Sequence, residues 1–129
     1  MVEVYIDGAS RGDPGQSGAG IFIKTNGSAE SFLFPLGNMN NHEAEYHALI
    51  HGLKLCLERN IKTASFRTDS QLVERAVEKR FVKNEKFRPL LDEILLLIDQ
   101  FDLFFIKWIP SKQNQTADQL ARQAIHLNG

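Results

Sequence analysis

The chain has 129 residues, 43% of them hydrophobic and 24% charged, an ordinary balance for a folded domain. That length predicts a single domain spanning residues 1–129 with a core of its own. The longest apolar run, residues 94–98, is too short to cross a bilayer, and the opening Met-Val-Glu-Val-Tyr-Ile-Asp has no basic segment ahead of an apolar one, so neither a membrane span nor a secretory leader is expected.

The one cysteine, Cys56, cannot form an internal disulfide and falls among leucines at helical spacing, which predicts a buried thiol and a cytoplasmic protein. A net charge of −1 argues against a uniformly basic, nucleic-acid-gripping surface, although an acidic site and a basic patch can cancel in the sum.

In chain order, Val2, Val4 and Ile6 alternate with polar residues and predict a first strand that ends at Asp7. A glycine-rich stretch, residues 8–20, follows as a turn. Residues 19–25 and 30–36 read as two strands joined at Asn26-Gly27, a strong hairpin signal. From 42 to 59 the period changes: Ala48, Leu49, Gly52, Leu53, Cys56 and Leu57 mark one face of a helix. A strand at 64–68 runs into Asp69-Ser70, a helix-start pair, and helices are expected over 70–79 and 87–100. Residues 103–108 form a last strand, and 115–127 a last helix. The order β-β-β-α-β-α-α-β-α implies an α/β fold with a five-stranded mixed sheet, three antiparallel strands and then two parallel ones, flanked by helices.

Four acidic residues occupy unusual places. Asp7 meets the glycine-rich stretch, Asp69 sits where a strand hands over to a helix, and Asp118 lines up with Ala121 and Ile125 on the last helix. Each has an ordinary explanation as a turn former, a cap or a first-turn acid. Glu45 resists one, because residues 49, 52, 53 and 56 place it on an apolar helix face with no cation near it in sequence. Converging carboxylates repel, and an all-oxygen donor set suits Mg2+ or Mn2+ rather than zinc.

Four segments resemble one family. YIDGASRGDPGQSGAGIFI, NNHEAEYHALIHGL, FRTDSQLV and WIPSKQNQTADQLARQA are similar, in order and over almost the whole chain, to the motifs of the type 1 ribonuclease H family. The resemblance implies the ribonuclease H-like fold and an endoribonuclease that cuts the RNA strand of RNA–DNA hybrids, leaving 5′-phosphate and 3′-hydroxyl ends. It makes Asp7, Glu45, Asp69 and Asp118 the catalytic, metal-binding acids for two Mg2+ or Mn2+ ions held with substrate, about 4 Å apart. Asp7 would bridge the ions, Glu45 and Asp69 would hold the one on the leaving-group side, and Asp118 the one on the side of the attacking water.

The same resemblance assigns nucleic-acid contacts to Gly8, Ala9, Ser10, Gly12, Asn40, Asn41, His42 and Asn114, directed at sugars and phosphates rather than base edges. The protein is expected to act as a monomer. Lys79, Arg80, Lys83, Lys86 and Arg88 outnumber Glu78 and Glu85, which offers a local grip on phosphates.

The sequence also departs from the family pattern. The segment Pro110-Ser111-Lys112-Gln113 is short and lacks the histidine that many members carry there, as in the short bacterial and archaeal-type branch; Ser111 replaces an arginine of that branch. Asn40 stands where a threonine is common. His42, His47, His51 and His126 are expected to be surface or substrate-lining residues, not replacements. These departures predict slower turnover and a preference for Mn2+, and they leave open an alternative, a ribonuclease H-like nucleic-acid-binding domain with little activity. A sugar-kinase or actin-like half shares the topology but needs a second domain, for which 129 residues leave no room.

Overall fold

The computed structural model describes residues 1–129. Its strands are β1 (Val2–Ser10), β2 (Gly15–Thr25), β3 (Ser28–Met39), β4 (Thr63–Thr68) and β5 (Leu103–Trp108). Its helices are α1 (Asn41–Glu58), α2 (Gln71–Lys79), α3 (Arg88–Ile98) and α4 (Gln115–Ile125), with single 3₁₀ turns at Glu85–Phe87 and Ser111–Gln113. The five strands form one sheet in the order β3-β2-β1-β4-β5. β1–β2 and β2–β3 are antiparallel, whereas β1–β4 and β4–β5 are parallel. The central strand is therefore β1, bonded on both edges.

Local chemistry sets the element ends. Gly27 supplies the left-handed backbone (φ 88°) that the β2–β3 hairpin needs. Asn40 caps α1 through a capping box: its side chain accepts from Glu43 N–H at 2.8 Å, and the Glu43 side chain accepts from Asn40 N–H at 3.1 Å. Ser70 caps α2 by accepting from Val73 N–H at 3.2 Å, and Pro89 sits in the first turn of α3, where a missing N–H costs nothing.

Strand alternation divides the molecule into three layers. Val4, Ile6, Ile21, Ile23, Phe66 and Ile106 face α1, whose Leu49 and Leu53 complete one contiguous core with Leu91 and Ile94 of α3. Cys56 belongs to this core, and burial pushes its thiol up to about 12. α4 lies alone on the opposite face, over β1, β2 and β3.

The structure revises one reading. The glycine-rich stretch is not a turn following Asp7: β1 continues to Ser10 and β2 already begins at Gly15, so Asp7 lies within a strand, paired with Gly20. The glycines serve packing. A Cβ on Gly18 or Gly20 would run into the backbone carbonyls of Ala121 or Ala117, so their absence lets α4 lie flat on β2. Gly8 does the same for α1 at the carbonyl of Ala44.

Candidate active site

The site opens at the C-terminal ends of the parallel strands β1 and β4, where α1 and α4 converge from opposite faces. Asp7, on the α4 side of β1, is 4% exposed, and Glu45, one turn into α1, is 9% exposed. Asp69 follows the last residue of β4. Carboxylate oxygens of these three lie within 4.8 Å of one another. Asp118, in the first turn of α4, completes the rim of the same cavity of about 690 Å3.

Backbone and side-chain bonds hold the acids in place. Gly8 N–H donates to Glu45 Oε1 at 2.9 Å, joining α1 to β1 beside Asp7. Trp108 Nε1–H donates to the Asp69 carbonyl at 3.1 Å, and Thr68 Oγ1 accepts from Ser70 N–H at 3.0 Å, fixing the turn out of β4. Asp118 Oδ2 accepts from Arg122 Nε at 3.0 Å, one helical turn away.

Burial pushes the Asp7 carboxyl up to about 11, reinforced by the charges of Glu45, Asp69 and Asp118. Burial also raises Glu45, to about 8; the Gly8 N–H pulls it down, and the charge of Asp69 pushes it further up. Metal-free, Asp7 and Glu45 favour their protonated forms at neutral pH. A divalent cation is the group that lets these oxygens ionise together, and an all-oxygen set at this spacing fits a hard ion.

Of the remaining expected residues, Gly8, Ala9, Ser10 and Asn41 line the cavity. His42 lines an adjoining cleft with Asn41, Leu72 and Trp108. Gly12 sits in the β1–β2 turn, where its carbonyl accepts from Ser10 Oγ at 2.6 Å. Two others sit differently from the expectation. Asn114 is 1% exposed, and its Nδ2–H donates to the Ile6 carbonyl at 2.8 Å, so it ties the start of α4 to β1 and has no free face for nucleic acid. Asn40 spends its side-chain oxygen on capping α1. His47 and His51 are half-buried on α1, where burial lowers both, and the His51 ring stacks on Phe34 at 4.4 Å.

Sequence reasoning missed Arg11, Arg122 and their neighbourhood. Both line the cavity, as does His126, whose Nδ1 lies 3.5 Å from Arg11 Nη2. The signal was present: Asp118, Arg122 and His126 stand four residues apart, one stripe of a helix.

This architecture matches known proteins. Residues 5–124 match the family model described as Reverse transcriptase-like. The structure of RNase H1 from the halophilic archaeon Halobacterium salinarum superposes with a TM-score of 0.91 at 30% identity, over 97% of both chains. The chain belongs to the ribonuclease H family.

Among other ribonuclease H relatives, the Ribonuclease HI sequence of Halobacterium salinarum is 34% identical over 96% of this chain, which spans 64% of that relative's length. An Enterococcus faecalis protein bearing the name "Putative hydrolase EbsB" is 43% identical over 97% of this chain and 94% of its own. LC11-RNase H1, solved in complex with an RNA/DNA hybrid, superposes with a TM-score of 0.89 at 26% identity over 98% of both chains.

Proposed function

We propose that this ribonuclease H protein hydrolyses the RNA strand of RNA–DNA hybrids with two divalent ions, Mg2+ or Mn2+, leaving 5′-phosphate and 3′-hydroxyl ends. The observation that carries the reading is the cluster itself: three carboxylates from β1, α1 and the β4–α2 turn with oxygens within 4.8 Å, and a fourth, Asp118, on the same cavity. Asp7, Glu45, Asp69 and Asp118 would hold the ions, which when bound would supply charge neutralisation at the scissile phosphate and activation of a water for attack.

The chain's own residues do the rest. Asp7 lies between Glu45 and Asp118 and serves both halves of the donor set. The Gly8 N–H keeps Glu45 turned inward, and Asn114 anchors the helix that carries Asp118. Ala9, Ser10 and Asn41 border the cavity as an RNA-strand track in which backbone and small polar groups meet the 2′-hydroxyls. Arg11 and His126, which line the same cavity, offer donors to a phosphate.

Residues 1–129 act as one domain and as a monomer. No helix is long and apolar enough to cross a membrane. The buried, lone Cys56 suits a reducing cytoplasm.

The test is cleavage of an end-labelled hybrid in Mg2+ and, separately, in Mn2+, with Asp7→Asn as control. Cutting of the RNA strand by the parent alone supports the reading. A parent that binds the hybrid and cuts it in neither metal leaves a binding domain with little activity, the reading that the histidine-free Ser111–Gln113 turn favours.

A further inference from the structure

α4 covers β1, β2 and β3 near the acids, but it leaves the same face bare further back along β1 and across β4 and β5. The strand registers place side chains there in rows. One row runs Phe22, Tyr5, Arg67, Lys107 across β2, β1, β4 and β5. The next row back contains Lys24, Glu3 and Phe105, the last of these 50% exposed. Beside the rows, a cavity of about 290 Å3 opens between Tyr5, Phe22 and Lys24 and the turn that carries Lys112.

The face is both aromatic and basic. Lys24, Arg67, Lys107 and Lys112 stand against one carboxylate, Glu3, on a chain of net charge −1. Glu3 is already neutralised by Arg67 at 3.1 Å, while Lys24, Lys107 and Lys112 join no ion pair. Lys24 Nζ lies 6.0 Å from the Tyr5 ring centroid, and the Tyr5 and Phe22 rings are 6.2 Å apart. A second copy of the chain would meet this surface with like charge, which disfavours self-association. Cations around one exposed ring, Phe105, and two half-buried ones, Tyr5 and Phe22, are an arrangement that tracks a phosphate backbone and stacks unpaired bases.

We propose that this open sheet face binds single-stranded DNA, outside the hydrolytic cavity. Asp7 lies one row forward of Tyr5 on the same face, about 7 Å along the strand, and the Ser111–Gln113 turn and the start of α4 stand beside the face. The face therefore holds an unpaired strand next to a hybrid seated on the acids. Its recognising groups are rings and ammonium ions. The Tyr5 hydroxyl in the central row is engaged by Arg67 at 3.1 Å and by Glu3 at 3.2 Å, and Ser65 Oγ in the row behind accepts from Arg67 Nε at 3.2 Å, so the face's hydroxyls are already in use within it rather than set out for a 2′-hydroxyl.

The test uses full-length Asp7→Asn protein in EDTA and fluorescein-labelled twelve-nucleotide oligo(dT), followed by anisotropy. Saturable binding is expected that a short, blunt RNA–DNA hybrid displaces poorly. In the same background, Lys24→Glu with Lys107→Glu should weaken it ten-fold or more and flatten its salt dependence, and Phe105→Ala should weaken it without changing the salt slope. The charge-reversed protein with Asp7 restored should cut blunt hybrid at the parent rate, which shows that it folds and keeps failure of this idea separate from failure of the hydrolytic one. Any of these results overturns the proposal: no oligo(dT) binding by the parent at low salt, unchanged binding by the charge-reversed protein, stoichiometric displacement by blunt hybrid, or stronger binding of oligo(U) than of oligo(dT). Displacement by poly-glutamate at matched charge also overturns it, because the face would then be a dock for acidic protein.

Discussion

Asp7 carries opposing demands. It is buried, surrounded by three like charges and held near 11 without a cation, so its ionised form destabilises the fold. The same is true of Glu45, held near 8. A carboxyl whose folded pKa is raised costs nothing below its unfolded value near 4 and an increasing amount as pH rises from there toward the folded value. Metal-free protein should therefore lose thermal stability from about pH 4.5 to pH 8 through these two groups. Adding Mg2+ or Mn2+ at pH 8 should restore it. Asp7→Asn should abolish cleavage yet raise the Tm in EDTA at pH 8 by about 4 °C or more, the shift that roughly 1 kcal/mol gives a domain of this size. A lower Tm for the variant would refute this electrostatic account. Asn114 behaves oppositely. Removing its amide in Asn114→Ala strands the buried Ile6 carbonyl, for an expected loss of about 1–3 kcal/mol in urea unfolding together with reduced kcat.

At the level of elements, the site depends on how closely two helices approach the sheet. Gly20→Ala would drive a methyl group into the Ala117 carbonyl and lift the start of α4, moving Asp118. The expected cost is about 1–3 kcal/mol, with a larger proportional loss of kcat than of stability, read by paired unfolding and single-turnover cleavage. Much of this arrangement was legible beforehand. β5 falls at the expected residues, and the apolar stripe of α1 placed Glu45 facing inward, because helical periodicity is a strong local signal. The glycine-rich stretch misled, since glycine speaks equally for a turn and for a strand that another backbone approaches closely; only the tertiary neighbour, α4, decides which. Asn40 and Asn114 carry motif positions whose side chains the fold consumes in capping and anchoring, a use no linear pattern displays. Arg122 and His126 were readable as a stripe continuing from Asp118.

For the molecule as a whole, the near-zero net charge conceals a division between an acidic cavity and basic surfaces around it. Lys79, Arg80, Lys83, Lys86 and Arg88 lie on and after α2, and Lys86 is partly engaged by Glu43 at 3.7 Å. Hybrid binding should accordingly weaken with salt: KM is expected to rise several-fold between 50 and about 200 mM KCl while kcat changes little, as counterion release requires. A salt-independent KM would mean that these cations do not touch phosphate. The same division explains why composition argued against a nucleic-acid enzyme while the motifs argued for one. Net charge sums over a surface whose parts act separately.

The hydrogen bond from Trp108 to the Asp69 carbonyl has a spectroscopic consequence. Trp108 is the chain's sole tryptophan, 42% exposed, with its indole N–H held at the rim of the cluster. The protein thus contains its own fluorophore at the place where the proposed cations and nucleic acid would arrive. Emission from unlabelled protein should shift or quench as either one binds, and a titration with Mn2+, whose paramagnetism quenches nearby indoles, would report occupancy of the acids directly from the light the protein emits.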